Sequence, residues 1–420
     1  MASSEICDSD VLIVGAGPAG CAAGVLLAAR GLRVEIVERR IAGHHKICGD
    51  LLGPRTLHLL QALDLGWSRE PAQGFPIEGI CVYDDDRLKS AALFRSNTPE
   101  PGWGLTLRRD ILDAHLQERA LASGCRISFG IRFERIQERK EGAVLSRAVA
   151  VAGGAARIYR SKVVLGADGA DSAAARSSGL LNRDPKSRIL AIRGYFSQVR
   201  GLRNGVELYF TRRLLPGYAW VIPLGEDLAN VGLGVRQDAC VQNGLRLQQE
   251  LVRFVREHPS LSARMRNARL VGRVQGAAIG GYGREARRSG PNLLLLGDAA
   301  SLADPISGEG VFGALRSARM AAGTVAEAFR ADTFSAEFLA RFDAGCRKYF
   351  DAAYRYTNFL AGLPGVRGFG RPLALWGLKR VEKNCVVDVQ YARMVAGFFT
   401  GMLPRGRMLS GHWLRKTLIG

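Results

Sequence analysis

Lysine is scarce in this chain. Nine of its 59 basic residues are lysine, so a formal net charge of +20 is carried almost wholly by arginine. Proline is thin as well, with 15 residues against 51 glycines in 420. That balance excludes a Pro-rich disordered or fibrous chain and suits the tight turns of an α/β protein. The eight cysteines (Cys7, Cys21, Cys48, Cys81, Cys125, Cys240, Cys346 and Cys385) stand singly. With no CxxC pair and no Cys/His cluster, neither a zinc site nor a disulfide framework is indicated, and no metal is expected. Unpaired thiols and the lack of a secretory signal point to the cytoplasm. No apolar stretch reaches the roughly eighteen residues a membrane span requires, so a soluble or peripheral protein is expected. Nucleic acid is not expected as a partner, because no basic run is interleaved with aromatics and no finger or homeodomain spacing occurs.

The arginine charge speaks about partners rather than fold. It suits an anionic substrate, an acidic carrier protein or an anionic membrane surface, unless arginine-rich coding alone explains it. Val366 to Gly420 holds ten Lys or Arg against two acids, with Phe398, Phe399 and Trp413 interspersed. Such a stretch can lie on an anionic membrane or carrier, or form a helical cap with a solvated basic face.

The first forty residues read strand, glycine turn, helix, strand. Asp10 to Val14 is a continuous apolar run of the kind buried on both faces of a parallel sheet. Gly15-Ala-Gly17-Pro-Ala19-Gly20 follows it and opens an Ala- and Leu-rich helix from Pro18 to about Arg30. The first glycine permits the turn, the second lets backbone approach a pyrophosphate, and the third lets helix and strand pack closely. Free N–H groups at the helix start then meet the phosphate charge. Val34 to Val37 forms the second strand and Glu38 ends it, where an acid can accept from an adenosine ribose. Together these predict a dinucleotide site, with Arg39 beside it.

Two later stretches separate FAD from NAD. Val164-Leu-Gly-Ala-Asp168-Gly169 places an Asp-Gly turn after an apolar strand, and Leu295-Leu-Gly297-Asp298 repeats the arrangement. Pro305, Gly308 and Gly310 then lead into a helix beginning near Val311. A carboxylate at a strand end can bind ribityl hydroxyls, and a glycine-flanked helix start can face the N1 side of a flavin, where reduction builds negative charge. An ordinary capping role for Asp298 is the plainer alternative. No second GxGxxG follows a strand, so electrons must come from outside, either from transiently bound NAD(P)H or from another redox protein.

With these motifs in this order, the chain resembles FAD-dependent oxidoreductases built like p-hydroxybenzoate hydroxylase, and within them the geranylgeranyl reductase family. The resemblance spans about residues 8 to 330. Arg109-Asp110-Ile-Leu-Asp113 is shared by the superfamily, in which an arginine there contacts FAD. Lys46-Ile-Cys48-Gly49-Asp50 matches the Lys-x-Cys-Gly element of prenyl reductases. Tyr218-Ala-Trp220-Val-Ile222-Pro223 matches their Tyr-x-Trp-x-Phe-Pro element, with Ile222 where Phe is usual, and Asn230-Val-Gly-Leu-Gly234 is also similar to theirs. Arg176 stands one residue later than the commonest spacing after Asp168.

The resemblance implies a Rossmann-like α/β FAD-binding domain with an inserted antiparallel-sheet substrate domain. The FAD-binding part is expected at 1–76, 103–185 and 276–334, the substrate part at 77–102 and 186–275, and a helical basic region at 335–420. It also implies hydride transfer from reduced FAD to one carbon of a prenyl or polyene double bond while a proton reaches the other. Tyr218 and Trp220 alternate on a strand and face one side, as a wall for an apolar chain or simply as core. His44, His45 and Lys46 put positive charge just before Cys48, a setting in which thiols become reactive. Cys48 is therefore named as proton donor or positioner, against the plainer reading of a small residue packed beside Gly49. Lys46 either binds an anionic head group or lines the loop. The rival is oxygen chemistry on the same fold, a monooxygenase or a flavin-dependent halogenase acting on a natural-product intermediate. Ile222-Pro223 sides with halogenases, but Lys89 is the only other lysine before residue 140, and it adjoins the acidic run Asp84 to Asp86.

Overall fold

The computed structural model describes residues 6–41, 46–66, 74–84, 87–94, 101–140, 143–154, 156–305 and 307–362. The expected basic C-terminal stretch beyond 362, with Phe398, Phe399 and Trp413, lies outside them, as do His44, His45 and most of the acidic run.

A six-stranded sheet forms the centre. Its order is Ser289–Gly290, Leu293–Leu295, Val163–Gly166, Val11–Val14, Val34–Glu38 and Arg126–Phe129. All pairs are parallel except the short first one. Val11–Val14, Val163–Gly166 and Leu293–Leu295 are buried along their whole length, as continuous apolar strands must be when both faces are covered. One face carries helices Pro18–Ala28, Arg109–Ala122 and Val311–Arg330, which pack on one another. Against the other lies a four-stranded sheet that includes Ile131–Lys140, Ala143–Ala150 and Ala156–Ser161. Helix Ala336–Gly362 packs outside Val311–Arg330, so the helical reading after 335 holds as far as the described residues go.

A separate seven-stranded sheet takes strands from two parts of the chain. Its order is Arg269–Gly280, Arg188–Ser197, Ala229–Arg236, Tyr218–Pro223, Gly205–Phe210, Gly79–Asp84 and Arg87–Leu93. It is antiparallel except where Gly205–Phe210 runs beside Gly79–Asp84. Lys89 lies on its edge strand. Helix Leu247–Glu257 packs on strands Arg188–Ser197 and Ala229–Arg236, burying Leu251 and Phe254 in a cluster with Tyr209, Val221 and Val231. The end of Arg269–Gly280 reaches back to the central sheet, where Gly280 sits so close that a Cβ there would stand 2.2 Å from the Asp298 carbonyl oxygen.

Candidate active site

The glycine turn works locally as its spacing predicts. Gly15 has φ of +103°, and a Cβ would lie 2.6 Å from the Ala167 carbonyl oxygen. At Gly20 a Cβ would lie 1.9 Å from the Gly15 carbonyl oxygen, so this glycine serves packing and does not face the cavity. Gly17 is different. Its Cβ position meets nothing within 4 Å, because it opens into a cavity of about 860 Å³.

That cavity runs between the central sheet and the end of the seven-stranded one. Gly15, Gly17, Ala19, Glu38 and Arg39 line it. Glu38 accepts from the Ala16 and Arg40 amides, both at 2.9 Å, which fixes its carboxylate at the strand end. Cys48, Gly49, Asp298, Gly308, Gly310 and Val311 line it too. Lys46 also borders it and is ion-paired with Asp298, so the loop lysine reaches the acid that follows the last parallel strand. The first turn of helix Val311–Arg330 carries no acid of its own, and the Asp298 carboxylate lies beside its N-cap, with Oδ1 3.0 Å from where a Gly310 Cβ would stand. Gly276 to Ile279, on strand Arg269–Gly280 of the seven-stranded sheet, also line it, inside the span expected to begin the third FAD-binding segment.

Asp168 and Gly169 line the cavity too, but the Asp168 carboxylate is already engaged. It accepts from Ser172 Oγ at 2.5 Å and from the Ala173 and Ala174 amides at 2.6 and 3.2 Å. It thus anchors the short helix Ala173–Ser177, whose N-cap is Ser172. Burial pushes its carboxyl above the usual range, opposed by those hydrogen bonds. Arg176 borders the cavity from this helix, despite its shifted spacing. Pro305 does not line the cavity; beside it, the Ser307 and Gly308 amides donate to Asp304.

Arg109 is buried and forks onto Asp113 with contacts of 2.8 to 3.1 Å. Its burial works against the charge, but Asp113 and the neighbouring Cys48 thiol outweigh that and hold it above its ordinary value. The thiol therefore stands against a permanent cation at the cavity wall.

Tyr218 and Trp220 lie side by side, with ring centroids 6.1 Å apart, as their alternation predicts. Neither borders this cavity. Tyr218 donates to the Ser307 carbonyl at 2.5 Å, and burial pushes its phenol upward, followed by the Asp304 and Glu309 charges. Trp220 packs with Ile77, Phe94 and Ile222 and donates Nε1 to Asn230 Oδ1 at 2.9 Å.

Several residues of the site had no prediction. Asp50 is almost fully buried, and its carboxylate accepts from Tyr195 Oη, Asn230 Nδ2 and the Arg109 amide. Asn230 and Asp50 stood inside the family-like motifs, and an asparagine opening the apolar strand Ala229–Arg236 was the available signal. Arg193 and Tyr195 gave none, because they join the site only through cross-strand register.

The cavity meets the demands of a dinucleotide. It is lined by residues at two helix starts, has an open glycine cradle at Gly17 and carries the acids Glu38 and Asp298, each held by hydrogen bonds or an ion pair. Comparison with known proteins agrees. A family model described as an FAD binding domain matches residues 8–355. Digeranylgeranylglycerophospholipid reductase 1 of Methanopyrus kandleri is 31% identical over 79% of this chain and 84% of that protein. Menaquinone reductase of Mycolicibacterium smegmatis is 28% identical over 75% of each. A solved geranylgeranyl bacteriochlorophyll reductase-like structure from Thermoplasma acidophilum superposes with a TM-score of 0.76 at 23% identity, covering 99% of this chain and 96% of that one. The chain is an FAD-dependent oxidoreductase and belongs to the geranylgeranyl reductase family.

Proposed function

We propose that this enzyme reduces carbon–carbon double bonds of a prenyl or polyene chain. The observation that carries the reading is the position of Cys48. Its loop borders the FAD cavity on one side and is hydrogen-bonded on the other to the strand pair bearing Trp220. The reductases named above support the same chemistry.

When bound, reduced FAD supplies the hydride for such a reduction. Gly15, Gly17, Glu38 and Arg39 would hold the nucleotide end. Asp298, Gly308, Gly310 and Val311 would hold the flavin end, with the helix start facing the side where charge builds. Tyr218 and Trp220 would wall the apolar chain, and Lys46 would meet an anionic head group where the substrate has one. Cys48 would give a proton to the second alkene carbon or position that carbon. The Arg109 guanidinium stands beside it at the cavity wall. Each double bond consumes two electrons, which NAD(P)H or a redox protein would deliver. The FAD-binding part would comprise 1–76, 103–185 and 276–334 and the substrate part 77–102 and 186–275, with strand Arg269–Gly280 shared across their junction. The work would be done in the cytoplasm, at a membrane face where prenyl lipids reside. Among the described residues no helix is long and apolar enough to cross a membrane.

The test is anaerobic incubation of the dithionite-reduced enzyme with geranylgeranyl diphosphate or a prenylquinone. Mass spectrometry should find gains of two mass units per double bond. No gain with either, together with oxygen-dependent flavin turnover on halide or an aromatic substrate, would overturn the reading and favour the monooxygenase or halogenase alternative that Ile222 suggests. Cys48→Ala should slow turnover by about 10²-fold or more if the thiol supplies the proton; unchanged turnover reduces it to packing.

A further inference from the structure

We propose that Asn230 and Asp50 are positioning residues that tie the Cys48 loop to Trp220, so that the aromatic strand and the cavity wall hold one register. Asn230 is fully buried near the start of a mostly apolar strand, where an amide is costly unless its bonds are made. Its Oδ1 accepts from Trp220 Nε1 at 2.9 Å. Its Nδ2 donates to the Cys48 carbonyl and to Asp50 Oδ2, both at 2.8 Å. One amide therefore faces the indole with its acceptor and the loop with its donors.

Asp50 completes the tie from the loop side. It has φ of +66°, a conformation uncommon for a residue with a side chain. Tyr195 Oη donates to it at 2.8 Å and the Arg109 amide at 3.2 Å. Its own carbonyl accepts from Leu107 N at 2.8 Å. Two strands of the substrate sheet and the start of helix Arg109–Ala122 thus converge on one carboxylate.

Trp220 is seated by glycine. The register places Trp220 opposite Gly232 and Gly232 opposite Arg193, so all three share one face of the sheet. A Cβ on Gly232 would stand 2.4 Å from Trp220 Cζ2 and 2.4 Å from the Ile192 carbonyl oxygen. The indole lies against bare backbone, and its Nε1 is aimed at Asn230. Neither Asn230 nor Asp50 borders the cavity, so both act through Cys48 and Trp220.

This inference deepens the reading above by naming what holds its proposed proton donor, and it is tested without turnover. The holoenzyme is treated with iodoacetamide, and labelling of Cys48 is timed by peptide mass spectrometry. Cys81, half-buried on a strand of the same sheet, is the internal reference. Asn230→Ala should speed Cys48 labelling about tenfold and leave Cys81 unchanged. Trp220→Phe removes the indole donor and should speed Cys48 labelling by roughly threefold. The double variant should be no faster than Asn230→Ala alone, since both cut one path. If Asn230→Ala does not fold, Asp50→Asn takes its place. An unchanged Cys48 rate, an equal rise at Cys81, or multiplying effects would overturn the proposal. Labelling that follows the expected pattern while prenyl substrates go unreduced would leave the tie standing and remove the prenyl reading alone.

Discussion

The central parallel sheet and the seven-stranded sheet meet at the same cavity but are built on opposite principles. Val11–Val14, Val163–Gly166 and Leu293–Leu295 are apolar throughout and specify position by backbone, through glycine turns at their ends. The seven-stranded sheet instead buries Arg193, Glu207 and Asn230 among its apolar residues. A buried polar group must find partners, so this sheet is specified by side-chain pairings between strands. The contrast teaches that the parallel strands are held by apolar burial and close glycine turns, while the seven-stranded sheet adds buried polar pairings between its strands.

Gly20→Val should produce the largest effect. Its Cβ would lie 1.9 Å from backbone, an overlap beyond the ~1–3 kcal/mol of ordinary overpacking. Flavin content, read as the ratio of flavin to protein absorbance, should fall to near zero or the protein should fail to fold. The partner experiment is Gly232→Ala in the other sheet, which should keep bound flavin while displacing Trp220 and slowing turnover. Equal flavin loss in both would break the comparison.

Asp113→Ala comes next, because it strands the buried Arg109 guanidinium and should cost about 3–5 kcal/mol by urea unfolding. Glu207→Ala should cost less, since Arg264 retains some access to water and still donates to the Arg200 and Gly201 carbonyls. A reversed order would show that the seven-stranded sheet is the more demanding host for charge.

The smallest effect is expected from Asp10→Asn, at the entry to the parallel sheet. The Arg33 guanidinium and amide hold the Asp10 carboxyl below its ordinary value, against partial desolvation. A depressed carboxyl contributes stability above its unfolded pKa and loses it as pH falls through the folded one. With Arg33 largely exposed, less than ~1 kcal/mol is at stake. The variant should flatten the acid side of the stability–pH curve below about pH 4 and leave neutral stability within that range. Asp50, whose carboxyl burial pushes up despite the bonds from Asn230 and Tyr195, has the opposite sign. Its contribution weakens as pH rises through its unfolded value, so Asp50→Asn should steepen the acid-side loss.

The nucleotide-binding half was legible because its rules are local. Gly15 to Gly20, the strand before them and Glu38 after them act within thirty residues, where spacing dictates geometry. The strand at 163 and the helices from 109 and 311 follow the same short-range logic, while the six-stranded order pairs segments more than a hundred residues apart. Even so, spacing did not reveal that Asp168 would commit its carboxylate to Ser172 and the following amides.

What the sequence determined by itself was a dinucleotide fold, its FAD branch and the family, since glycine turns, helix starts and apolar runs are decided by neighbours along the chain. What only tertiary structure decided was the company each motif keeps. Lys46 meets Asp298 across 252 positions, and Asn230 meets Cys48 across 182. Those partners are chosen by strand register and sheet packing, and a buried amide or carboxylate shows its role only when the groups that satisfy it are in place.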